Sequence, residues 1–367
     1  MFAHLRKLGM RTLVTFLLIA GFTGESFGLS LDGTPWFWAL LLGTGLFAST
    51  FGIDLAAMRA SDWRVVALAV TVGVFVKTAI ISLSLFSASL LVTSGLLIFF
   101  VLGPTMAQMD PLAVSALASN RRMSKRMDNL VRAVSSLDDP VTVLMTILLL
   151  LAQKVFGFGL GATITGVNVT TLPDYGQYMW LNIAFMASTV WFWQLAYKGS
   201  PRWKLAFTLA LIAGSLVVGA SWYWMFGLAL MGLYLRPEGY VQAKVNAVLD
   251  VTTKIAFGVS GVIAGALLYE VYGGKHFLAE TLWGLALGAV AFASQMAVGW
   301  LMTIRGGYSR QDRLYFMCSH QNGMTATMLG VSTGTIAYVV PGIVMTHVLN
   351  ATAMAVLNRR FEPVAEE

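Results

Sequence analysis

Long apolar runs recur along the whole chain. They fall near residues 11–29, 36–57, 64–86, 91–119, 129–153, 178–197, 203–219, 221–235, 245–269, 279–304, 312–333 and 335–357. A helix needs roughly 17–25 such residues to cross a bilayer. The pattern therefore predicts an all-α polytopic membrane protein with about twelve transmembrane helices. The seventh and eighth runs are short and could merge, which leaves the count open by one or two. Two runs are interrupted. The fourth is broken at Gly103-Pro104 and again at Asp110-Pro111, and the eleventh by the polar stretch Ser319 to Gly323, "SHQNG". The first run follows a basic start, "MFAHLRKLGMRTLVTFLLIAGFTG", which has the outline of a signal peptide. No clean small-x-small cleavage site follows, so it is read as a retained first span.

Composition agrees with the pattern. Of the 367 residues, 57% are hydrophobic and only 11% charged, with a mean hydropathy of +0.74. Soluble domains carry about 25% charged residues. The net charge of +7 raises the question of nucleic acid, but the placement of the charges answers it. With the N-terminus in the cytoplasm, twenty of the 24 Lys and Arg fall in inside segments, the densest being Arg121, Arg122, Lys125, Arg126 and Arg132. Only Lys154 and Lys275 fall outside. This is the positive-inside pattern of a multi-pass membrane protein with both termini cytoplasmic. The basic segments would lie near membrane lipid and need no nucleic-acid partner. The one cysteine, Cys318, excludes a disulfide framework. No P-loop, dinucleotide fingerprint, nucleophile elbow or zinc-type cluster is present, so the sequence predicts neither an enzyme nor a cofactor.

The chemistry is concentrated in a few intramembrane charges. Asp138 and Asp139 stand in "SSLDDPVTVLMTILLLLAQ", Ser135 to Gln153. They lie about ten residues into the fifth span, or ~15 Å at ~1.5 Å per residue, half of a ~30 Å core. Asp is too short to snorkel, and an ionisable residue at that depth usually marks an ion or proton path. Two adjacent carboxylates in a low dielectric do not both ionise easily, which suits a site that trades a proton for a cation. Oxygen ligands favour a hard alkali cation. Pro140 lacks an N–H and leaves the carbonyl of Ser136 free as a further ligand. The bland alternative has Asp138 capping a half-helix and Asp139 paired with a buried lysine. Asp110-Pro111 reads as an N-cap followed by Pro at the first helical position, starting a helix inside the membrane or capping one at its surface. The "SHQNG" break reads as its counterpart if the second half repeats the first upside down, or else as a kinked helix with polar packing. Lys254 lies one helical turn after Asp250 and either pairs with it or serves as counter-charge to the aspartates; Lys77 is deep in its span and has no partner there.

Taken together, these stretches resemble the monovalent cation:proton antiporter superfamily of sodium/hydrogen exchangers. "LFASTFGIDLAAMRASDWRVVALAVTVG" is similar to its second span, arm and third span, "VLGPTMAQMDPLAVSAL" to its broken fourth span, and "SSLDDPVTVLMTILL" to its ion-binding span. "FGVSGVIAG" and "NGMTATMLG" are similar to later spans. The resemblance implies inverted repeats with two crossed broken helices, a core domain and a dimerising scaffold. It makes Asp139 the carboxylate that binds cation and proton in turn, Asp138 its neighbour and Asp110 the residue at the crossing. The chain departs from the family at four places: Met109 replaces a Thr, Val134 falls near a Glu, Gln295 near a lysine, and the stretch His320, Gln321 and Asn322 near an arginine. The usual basic compensators are thus missing.

The expected organisation is a first half over 1–153, an outside loop and linking span over 154–202, a second half over 203–357 and a short tail over 358–367. The expected activity is exchange of Na+ or K+ for protons by alternating access, with Asp138 and Asp139 holding cation and proton in competition. Supporting positions are Ser135, Ser136, Thr105, Lys254, Lys77, Gln295, Gln321 and Asn322. The expected partners are monovalent cations, protons, lipid and a second copy of the chain. Two other readings remain open: a sodium-coupled organic anion symporter of related fold, and a non-transporting ion or proton sensor.

Overall fold

The structure is a computed structural model that describes residues 35–54, 58–92, 97–116, 122–156, 172–222, 224–271 and 277–361. Among these residues the chain is helical, and no strand occurs. The elements are α1 (Pro35–Phe51), α2 (Ala60–Val92), α3 (Phe99–Ala107), α4 (Pro111–Ala116), α5 (Lys125–Phe156), α6 (Leu172–Ala196) and α7 (Pro201–Ser221). They continue with α8 (Met225–Tyr234), α9 (Gly239–Val271), α10 (Phe277–Thr303), α11 (Arg310–Met317), α12 (Met324–Ser332) and α13 (Ile336–Arg360). The first apolar run, 11–29, lies outside the described residues. Every later run coincides with a helix or with a pair of short helices. α2, α7, α9, α10 and α13 are each long and apolar enough to cross a membrane. The two short runs do not merge, because the chain turns at Trp222 and restarts at Met225.

The molecule is turned inside out relative to a soluble protein. Trp180, Trp191, Trp203, Leu91 and Leu278 face outward, while Lys77, Asp110, Asp138 and Asp139 are buried. Lipid is the natural solvent for the first group, and the second must find partners within the protein. Glycines let helices close on one another: a Cβ at Gly288 of α10 would collide with the Gly342 carbonyl of α13.

Local sequence explains several helix ends. Ser200 caps α7 by accepting the Trp203 N–H, with Pro201 at the first helical position. Ser309 caps α11 through the Asp312 N–H. α2 carries a π-helical turn over Ala69–Gly73. Beyond it Lys77, Ile81 and Leu85 point inward and Phe75, Val76 and Leu83 outward. Pro140 sits inside the continuous α5, where it cannot supply the amide that the Ser136 carbonyl would otherwise accept.

The end of the bundle that carries Arg59, Arg64 and Lys125 is tied together by one buried carboxylate. Asp62 accepts from the Arg126 guanidinium at 2.6–3.0 Å, from the Tyr308 hydroxyl at 2.7 Å and from the Arg59 N–H at 2.8 Å. It thereby joins α2, α5 and the loop between α10 and α11. Burial, and then the bond to Asp62, pushes the Tyr308 phenol up, so it remains a donor. Beside it Asp312 accepts from the Ser124 N–H and hydroxyl at 2.8 and 2.9 Å, fixing α11 to the start of α5. Removing one partner of a buried ion pair costs about 3–5 kcal/mol. Asp62→Ala should therefore lower the thermal unfolding midpoint of the purified protein in detergent by several degrees; an unchanged midpoint would contradict the role of this carboxylate.

Candidate ion-binding site

The two interrupted runs form two broken helices that meet. α3 ends at Ala107, where Gln108 turns extended (φ −79°, ψ 160°), and α4 restarts at Pro111. α11 ends at Met317, and α12 begins after Gly323. At the meeting point the Asp110 N–H donates to the Gln321 carbonyl at 2.8 Å. The Asp110 side chain then caps both restarting helices: Oδ1 accepts the Leu112 N–H and Oδ2 the Met324 N–H, each at 3.0 Å. A fully buried carboxylate thus sits against two helix N-termini, where free amides and the helix dipoles favour negative charge. Asn322 performs the reverse task. Its Nδ2 donates to the Met106 and Gln108 carbonyls at 3.2 and 2.9 Å and so satisfies the frayed end of α3.

α5 presents Asp138 and Asp139 to this crossing. Asp138 Oδ2 accepts the Met109 N–H at 3.1 Å and lies 3.6 Å from Lys77 Nζ on α2. Asp139 Oδ2 accepts the Thr325 hydroxyl of α12 at 2.8 Å. The other oxygen of each, Oδ1, has no hydrogen-bond partner among the described residues. Gln108 braces the same region, its Oε1 accepting from Thr142, which also bonds the Asp139 carbonyl. The three carboxylates are therefore compensated unequally. Asp110 has two helix ends, Asp138 has an ammonium and an amide, and Asp139 has one neutral hydroxyl. A buried negative charge with so little support requires a cation or a proton.

The other positions expected from sequence fall differently. Lys254 pairs with Asp250 at 2.7 Å, and both are partly exposed. The carboxylate one turn away on the same face captures the lysine before any distant one can, so Lys254 is not the counter-charge. Lys77 occupies that place. Ser135 and Ser136 direct their hydroxyls to the Arg132 carbonyl at 3.0 and 2.8 Å, and Thr105 bonds Val101 of its own helix at 2.9 Å. These are ordinary back-bonds of helical hydroxyls and not contacts to the carboxylates. Gln321 donates to Asn350 at 2.5 Å, and its Oε1 has no partner among the described residues. Gln295 is buried on α10 and forms no hydrogen bond to either aspartate. At Met109, where the resemblance expects a threonine, the backbone N–H supplies the contact instead.

Sequence reading missed Thr325, Gln108, Thr142 and Asn350. Thr325 lies two residues beyond the polar break, within a stretch already singled out, and its place on the first turn of α12 could have flagged it. The others are neutral side chains inside or beside apolar runs, with no pattern to mark them.

A buried acid pair beside a crossing of two broken helices, enclosed by lipid-facing spans, defines a secondary transporter of ions. A family model for the transmembrane sodium/hydrogen exchanger matches residues 1–359, and the chain belongs to that family. Its class of activity is cation/proton antiport, in which the ions are substrates; it is not an enzyme and uses no cofactor. Among solved structures, the fold is similar to the sodium proton antiporter MjNhaP1 from Methanocaldococcus jannaschii. The TM-score is 0.64 at 17% identity, over 94% of this chain and 91% of that one.

Gly323 is required by the crossing, because a Cβ there would collide with Asp110 Oδ2. Gly323→Ala should destabilise the protein by about 1–3 kcal/mol, as overpacking does, seen as a lower midpoint in thermal unfolding. Gly239, whose surroundings are open, provides the comparison site: its φ of +53° makes alanine mildly strained but free of collision.

Proposed function

We propose that the protein exchanges Na+ or K+ for protons by alternating access, and that Asp139 is the group that holds cation and proton in turn. The observation that carries this reading is the unequal compensation of the three buried carboxylates. Asp139 alone has neither an ammonium nor a helix end, and one of its oxygens is open. A cation drawn to Asp139 would also meet Asp138 Oδ1, and its arrival weakens the hold of Asp138 on Lys77. The Ser136 carbonyl, left without an amide by Pro140, is a further oxygen in reach of this helix segment.

In this reading the halves 1–153 and 203–357 are inverted repeats that each contribute one broken helix. The crossing helices and α5 form a core that moves against a dimerising scaffold. In this reading the protein lies in the cell membrane with both termini cytoplasmic, an orientation that the distribution of Lys and Arg supports. Within the polar break at 319–323, the Asn322 amide caps the end of α3 and the Gln321 carbonyl accepts from Asp110, and the antiport reading does not call on the break for a sodium site.

Two measurements test the proposal. In proteoliposomes, Asp139→Asn should abolish cation-dependent proton flux while Asp250→Asn still exchanges; sustained flux through Asp139→Asn would refute the assignment. For the wild type, the half-saturating cation concentration should rise as pH falls, because protons occupy the same carboxylate. One-site competition gives a limit of about tenfold per pH unit once the site is mostly protonated. A cation affinity independent of pH would exclude competition.

A further inference from the structure

At the end of the bundle tied by Asp62, α2 and α10 run side by side. A Cβ at Gly73 of α2 would touch Val298 and Met302 of α10 at 3.3 and 3.5 Å. Beside this contact each helix turns an exposed stripe outward. On α2 it is Arg64, Leu68 and Val72, and on α10 it is Leu301, Ile304 and Arg305. In both stripes the apolar residues lie toward the middle of the bundle and the arginine lies at its end. Exposed Trp300 stands next to Leu301, a usual place for tryptophan at a membrane interface. One knot of contacts brings the two arginines to the same rim. Arg64 follows Asp62 by two residues, and Arg305 adjoins Gly306, whose carbonyl lies 3.4 Å from the Arg126 guanidinium that binds Asp62. Neither arginine forms an ion pair among the described residues. The nearest acids are buried and already engaged, Asp62 with Arg126 and Tyr308, Asp312 with Ser124. Exposed Arg59 and Arg310 add charge of the same sign.

We propose that these two stripes hold a phospholipid with an anionic headgroup, its phosphate between Arg64 and Arg305 and an acyl chain along Leu68, Val72, Leu301 and Ile304. The occupant follows from charge and polarity together. Guanidinium groups match phosphate oxygens in charge and in geometry. The strip directly below them calls for hydrocarbon. An acidic peptide or a nucleic acid would satisfy the arginines and leave that strip uncovered. A zwitterionic lipid would cover the strip but bring its own cation to the arginines. In the orientation proposed above the headgroup lies in the cytoplasmic leaflet, where anionic lipids attract basic side chains at the membrane surface. The site requires that orientation for its leaflet, and ion exchange plays no part in it. A lipid bound there joins α2 to α10 where Asp62 joins α2 to α5. It thus adds a third member to the frame that positions Lys77.

The purified full-length protein in detergent is titrated with phosphatidylglycerol or with phosphatidylcholine of the same acyl chains. In native mass spectrometry the wild type should hold phosphatidylglycerol about 25-fold more tightly, since each arginine near an anionic headgroup contributes roughly fivefold. Arg64→Gln and Arg305→Gln should each lose about fivefold of that preference, and the double variant nearly all of it. Thermal unfolding provides a second readout. Phosphatidylglycerol should raise the wild-type midpoint by a few degrees more than phosphatidylcholine does. The double variant should lose that excess and keep its midpoint in phosphatidylcholine. Arg359→Gln with Arg360→Gln removes two exposed charges from the end of α13 and should leave the preference intact. Equal binding of the two lipids by the wild type would overturn the site. So would an equal loss of preference in the Arg359 and Arg360 variant, because surface charge in general would then account for it. Inorganic phosphate or glycerophosphate should leave the midpoint unchanged; a rise as large as the lipid gives would reveal an anion site and overturn the lipid. Neither readout involves transport, so failure here and failure of cation/proton exchange are told apart.

Discussion

Asp110 caps α4 and α12 at once, and the rest of the site hangs on that double cap. Two helices that begin inside a membrane leave amides with no water to satisfy them. One buried carboxylate answers both, and the positive ends of the two helices stabilise its charge in return. Neither broken helix is tenable without the other, because each supplies half of what makes the carboxylate bearable. The requirement extends to Gly323, where any side chain would enter the space of the Asp110 carboxylate, and to Asn322, whose amide group satisfies the carbonyls at the end of α3.

With Asp110 fixed in this way, the charges on α5 take their character from what remains. Lys77 approaches Asp138 from α2, and the Met109 amide reaches it from the break in the first broken helix. Asp139 is left with the Thr325 hydroxyl. The arrangement is a graded series of compensation, from helix ends through an ammonium to a neutral hydroxyl. A transport site needs a group that is neither permanently neutralised nor so destabilised that the fold fails. The burial around Asp139 supplies the demand for a counter-ion, and the poverty of fixed partners leaves that demand to be met by a mobile one.

Rigidity on the basic end complements this. Asp62, Arg126 and Tyr308 lock α2, which bears Lys77, to α5, which bears both aspartates. The Lys77–Asp138 distance is therefore set by a frame anchored far from the ions. By contrast, a cavity of about 270 Å³ lies between α5 and α9, and Arg132 and Asp250 on its walls pair with Asp128 and Lys254 of their own helices. Relative movement is easiest where no fixed pair spans the gap.

The sequence by itself determined the helical membrane class, the two broken spans and the identity of the acids. All of these are written in local pattern: run length, a proline, a polar break, a charge where lipid should be. The same locality made the Asp250–Lys254 pair legible, since its members are one turn apart. Only the tertiary structure decided which lysine faces the aspartates, because Lys77 reaches Asp138 across 61 positions of chain, beyond the reach of any helical period. It also decided that Asp110 serves α12, 214 residues away, and that Thr325 holds Asp139 across 186. Ser135, Ser136 and Thr105 carried the right chemistry but were claimed by their own helix carbonyls. A hydroxyl in a helix always has that nearer acceptor available, and sequence cannot say which acceptor it takes.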